Sequence, residues 1–128
     1  MPTADRFDHV DYERRGDVGV WHTADFAALM QSDELREAEA HYRQEASDPE
    51  MTASVVVIRN AGALGQELQD TLDHVEEQWS QLADEVGVEK AGYVAEGIIS
   101  WTVQSKIDAD VETSSFETVE EAVAWARE

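Results

Sequence analysis

Three stretches of this chain hold residues whose types and spacing could do chemistry. The first is Asn60-Ala61-Gly62-Ala63-Leu64-Gly65, a small, glycine-spaced turn after a β-branched run. Its Gly-Ala-Leu-Gly core invites comparison with a phosphate cradle. It matches neither G-x-G-x-x-G nor G-x-x-x-x-G-K-[ST], and no lysine is near, so the glycines read as a tight strand-to-helix turn. The second is the histidines, His9, His22, His41 and His74. Glu37 and His41 share a helix face at i, i+4, as do Asp70 and His74, but a metal centre needs three or more converging ligands. Solvated helix-face pairs are the expectation there. The third is Ser114-Ser115, which has no histidine close in sequence to serve as a base, and a hydroxyl without one is inert. The chain has no cysteine, which excludes thiolate zinc sites, cysteine nucleophiles and disulfides. The reading is a binding protein with no catalytic residue, no metal and no cofactor.

The four tryptophans are many for 128 residues. Trp79 falls on an apolar helical stripe and is expected in the core, and Trp125 is expected between a helix and the sheet. Trp21 and Trp101 could be bulk, could line a pocket between helices and sheet, or could anchor a partner. Such a pocket would be lined by Tyr93, Ile98 and Trp101.

The elements that must carry these residues follow from periodicity. Phe7, Val10 and Tyr12 alternate with polar residues, and Asp17–Thr23 follows after Arg-Arg-Gly, which predicts a hairpin. Residues 23–30 can form a short helical turn. Residues 32–48 read as a helix with Ser32 as cap and a narrow stripe of Leu35, Ala38, Tyr42 and Ala46, stopped by Asp48-Pro49. Ala53–Arg59 is a central strand whose continuous β-branched character predicts burial on both faces. Leu64, Leu68, Leu72, Val75, Trp79, Leu82 and Val86 recur at three and four, the strongest helical signal in the chain. A strand is expected from Lys90 and another ending at Phe116. Residues 98–107 fit strand or helix alternation equally. Thr118 and Glu121 form a capping box that opens a last helix, with Val119, Ala122, Val123 and Ala126 turned inward. The sum is one α/β domain over residues 1–128, a mixed sheet of about five strands with helices packed on it.

Charge bounds the partners. Twenty-nine acidic residues against nine basic give −20, spread along the whole chain, with Lys90 and Lys106 as the lysines. Such density of like charge repels itself in dilute buffer and is screened at about 1 M salt, where the Debye length is about 3 Å. The pattern resembles proteins of extreme halophiles. No basic patch exists to release counterions from nucleic acid, so nucleic acid is excluded as a partner. No apolar run approaches the ~20 residues of a span, so no stable membrane insertion is expected. The amino terminus lacks an apolar segment of a secretion signal, and the expected address is cytoplasmic.

The element order resembles the STAS domain family in its STAS/SEC14-like, anti-sigma-factor-antagonist-like branch. The resemblance is carried by residues 90–126, a hydrophobic strand, a helix, a strand finishing in Phe116, and then Thr118, Glu120, Glu121, Ala122 and Trp125. It implies the order β-β-α-β-α-β-α-β-α, with residues 98–107 helical. The anti-sigma-factor antagonists of that family carry a phosphorylatable Ser or Thr in the turn after the central strand. Here that turn is Asn60–Gly65, with no hydroxyl until Thr71. The family's phospho-switch is therefore not carried over. The expectation is a non-catalytic protein-interaction module that docks a protein partner or a second copy through Asn60–Gly65. The SEC14 side implies an alternative, a carrier of a small molecule or lipid with an apolar pocket.

Overall fold

The computed structural model describes residues 10–23, 26–30, 32–59, 68–86, 88–95 and 111–128. The expected docking turn, Asn60–Gly65, and two of the expected pocket residues, Ile98 and Trp101, lie outside them, as does the segment read as strand or helix.

The hairpin forms as read. Strands β1 (Val10–Arg15) and β2 (Val18–Thr23) pair antiparallel, Arg15 opposite Val18. Gly16 opens the two-residue connection at φ 66°, a left-handed conformation that a side chain disfavours. After α1 (Phe26–Met30) and α2 (Glu34–Ala46), strand β3 (Ala53–Ile58) adds parallel to β2. Strand β4 (Lys90–Val94) adds parallel to β3, and β5 (Glu112–Phe116) parallel to β4. The sheet order is β1-β2-β3-β4-β5, a five-stranded mixed sheet.

Alternation sorts the strands onto two faces. Val18, Val20, Ala53, Val55, Val57 and Val94 pack against the last helix, α5 (Val119–Ala126), through Val119, Ala122, Val123 and Ala126. On the other face Val10, Trp21 and Met51 meet Leu29 of α1 and Ala38 and Ala46 of α2. β3 is buried on both faces because helices cover it above and below, the reason its sequence is continuously β-branched.

The caps obey local chemistry. Glu121 N–H donates to Thr118 Oγ1 at 3.2 Å, and the Thr118 hydroxyl donates back to the Glu121 carboxylate at 3.0 Å. The reciprocal half of the box is thus made by the hydroxyl. Helix α2 begins one residue later than Ser32 as cap would place it, yet Ser32 Oγ still accepts the Glu34 N–H at 3.0 Å.

The long apolar stripe becomes α3 (Leu68–His74), a π-helical turn (Val75–Trp79) and α4 (Ser80–Val86). The π-turn shifts the buried face by one residue. Val75 and Ser80, five apart, are both buried, and Trp79 is moved from the centre of the core to its flank, where it is partly buried. The regular three-and-four spacing of the sequence gives no sign of this insertion.

Candidate ligand-binding site

Register places Tyr12, Trp21, Val56 and Tyr93 in one lateral row across β1 to β4, all on the face that α2 covers. Trp21, Val56 and Tyr93 form the floor of a cavity of about 60 Å³. Leu29, Leu35, Ala38 and Tyr42 of α1 and α2 form one wall, Trp79 and Leu82 the other, and Val10 and Thr23 the end. Val10 and Thr23 are paired at the carboxyl end of β2, and ligands of open α/β sheets bind at that end of the strands. The lining is almost wholly apolar, with Trp79 and Tyr93 stacked at 6.3 Å and an interplanar angle of 15°. The space exceeds the roughly 10–15 Å³ that one water needs. It is far below the ~300–1,000 Å³ of a site for a drug-sized molecule, so it takes a small apolar group rather than a whole lipid.

The polar groups around the cavity are fixed by bonds between elements. Thr23 Oγ1 donates to the Val57 carbonyl at 2.6 Å, and the Tyr42 and Ser54 hydroxyls bond at 2.8 Å. Trp21 Nε1 donates to His41 Nδ1 at 3.1 Å, which leaves the proton of a neutral imidazole on Nε2. His41 is therefore a buried core partner, 4% exposed, and not the solvated mate of Glu37 that helical spacing suggests. The reason is tertiary: α2 turns His41 onto the sheet, where the Trp21 indole needs an acceptor. The second expected pair fails in the same way. His74 donates through Nε2 not to Asp70 but to Glu39 Oε2 on α2, at 2.7 Å.

Glu39 is the one carboxylate among the described residues of the cavity wall, and it also lines a surface cleft between α2 and the α3–π segment, with Arg36, Arg43, His74 and Gln78. The same oxygen, Oε2, accepts from Trp79 Nε1 at 2.9 Å. His74 and Trp79 are five residues apart. In an α-helix they would stand roughly 140° apart around the axis. The π-turn, whose bonds run i to i+5, brings them to one side.

Burial raises all three tyrosines. Desolvation pushes Tyr42 up to about 12 and Tyr93 well above its usual value, and it raises Tyr12. Tyr12 Oη is buried near Arg14 and Glu45 but meets neither at hydrogen-bonding geometry. His22, half-buried on the opposite side of β2 from Trp21's neighbours, is lowered by desolvation.

Of the residues expected to line a pocket, Tyr93 does so. Trp21, one of the two tryptophans left open between bulk and pocket, is 3% exposed and lines it as well. Glu39 and His41 were not legible as site residues. Glu39 has one faint signal, its place four residues after Leu35 at the edge of the α2 stripe. Among the described residues no three His, Asp or Glu side chains gather to hold a metal ion. The His74–Glu39 pair could orient a base, but His74 Nδ1 makes no hydrogen bond to a hydroxyl among the described residues. No described helix is long and apolar enough to cross a membrane. No family model, characterised protein or solved structure matches this chain.

Proposed function

We propose that this chain is a non-catalytic, STAS-like binding module of a high-salt cytoplasm, and that its ligand is a small amphiphile whose apolar stem occupies the aromatic cavity. The observation that carries this reading is the cavity itself. It is walled by Trp21, Tyr42, Trp79 and Tyr93, it sits toward the carboxyl ends of the parallel strands, and it adjoins a polar cleft through Leu35 and Glu39. A stem in the cavity would leave its head in that cleft. Of the two functions the sequence allows, this is the carrier alternative in reduced form: the space suits a few carbon atoms. The docking of a protein partner at Asn60–Gly65 rests on the sequence alone.

The test is a titration of the protein with n-butanol, followed by tryptophan fluorescence and by amide shifts at Thr23, Val56 and Tyr93. Saturable changes confined to those positions are expected, and Ala38→Leu, which fills the space, abolishes them. Linear, unsaturable drift in the wild type overturns the reading.

A further inference from the structure

Glu39 presents two oxygens, and the structure uses them unequally. Oε2 accepts from both His74 Nε2, at 2.7 Å, and Trp79 Nε1, at 2.9 Å. Oε1 makes no hydrogen bond among the described residues. The carboxylate is held from one side by two donors, on a side chain 21% exposed, at the threshold between the apolar cavity and the surface cleft. A fixed acceptor with an open oxygen selects for a donor. The described lining of the cleft carries the carboxylates Asp33, Glu37 and Glu39 against the guanidiniums Arg36 and Arg43, the second of them donating to Glu85 at 2.9 Å. An anionic head would therefore meet an excess of negative charge there and the field of a chain of net charge −20. A cationic head is attracted by both.

We propose that the site selects a primary ammonium on a short apolar stem, with Glu39 Oε1 as its acceptor and with His74 and Trp79 as positioning residues that hold the carboxylate in place. This deepens, and rests on, the ligand-binding reading above. The π-turn is part of the device, because it lets residues five apart grip one oxygen.

The experiment compares n-butylammonium, n-butanol and butyrate on the full chain in about 1 M KCl, where the Debye length is about 3 Å and long-range attraction is screened. Charge-assisted hydrogen bonds are roughly twice as strong as neutral ones. The ammonium is expected to bind the wild type at least about tenfold tighter than the alcohol, with butyrate weakest. Glu39→Gln keeps an acceptor for His74 and Trp79 but removes the charge and puts an amide NH2 where Oε1 stood, so the preference for the ammonium over the alcohol is expected to disappear. Equal binding of ammonium and alcohol by the wild type overturns this inference and leaves the cavity reading standing. Binding of none of the three overturns both. Should Glu39→Gln fail to fold, Glu39→Asp withdraws the carboxylate by one methylene, and an undiminished preference in that variant sinks the assignment.

Discussion

The indole of Trp21 on β2 donates to Nδ1 of His41 on α2 at 3.1 Å, and both side chains are buried. Tyr12 and Tyr42 flank the pair, each with its ring centroid 4.7 Å from that of Trp21. This one bond fixes the histidine tautomer and clamps the helix that walls the cavity to the strand that floors it.

Replacing His41 by leucine strands the indole N–H in an apolar setting. An unsatisfied buried donor costs about 1–3 kcal/mol, and that loss is expected in urea unfolding. His41→Asn offers an acceptor near the position of Nδ1 and should be less destabilised than the leucine variant. Equal loss in both would show that shape, not the hydrogen bond, matters at this position.

Gly19 lies beside the same indole. A Cβ built there would stand 2.6 Å from the Met51 methyl and 2.8 Å from the Trp21 ring. Met51 can swing aside, but the ring is held by His41. Gly19→Ala is expected to cost about 1–3 kcal/mol through overpacking, and to shift Trp21 fluorescence as the ring moves. An unchanged emission spectrum and unchanged stability would contradict the close approach.

All three tyrosines of the chain are raised by burial, Tyr42 to about 12. A phenol raised in the folded state stays neutral there while the unfolded chain ionises near pH 10. Its contribution to stability is therefore complete below about pH 10 and falls as pH climbs from there toward 12. Tyrosinate absorbance should lag behind that of free tyrosine and appear together with loss of circular dichroism. Ionisation near pH 10 with the fold intact would contradict the desolvation of the three phenols.

The net charge of −20 bears on stability as well as on ligand choice. Raising KCl from about 0.1 M to about 1 M shortens the Debye length from about 10 Å to about 3 Å and removes most of the self-repulsion. The melting temperature should climb steeply over that range. A melting temperature flat across it rejects the adaptation to high salt.

Much of this architecture can be read along the chain because it depends on neighbours in sequence. The Gly16 turn, the burial of β3 on both faces, the inward side of α5 and the Thr118–Glu121 cap all follow from residues within one element. So does the charge, which belongs to composition alone. The site depends on meetings between residues 35 and 40 positions apart: Glu39 with His74, and Glu39 with Trp79. Periodicity says which side of a helix is buried. It does not say which polar group at the edge of that side will find a partner on another helix. The π-turn compounds this, because an inserted residue moves Ser80 into the core and Trp79 toward the cavity without disturbing the apolar spacing. Helix and strand were therefore written into local pattern, whereas the gripped carboxylate and the aromatic cavity came into being only when α2, the π-turn and the sheet closed on one another.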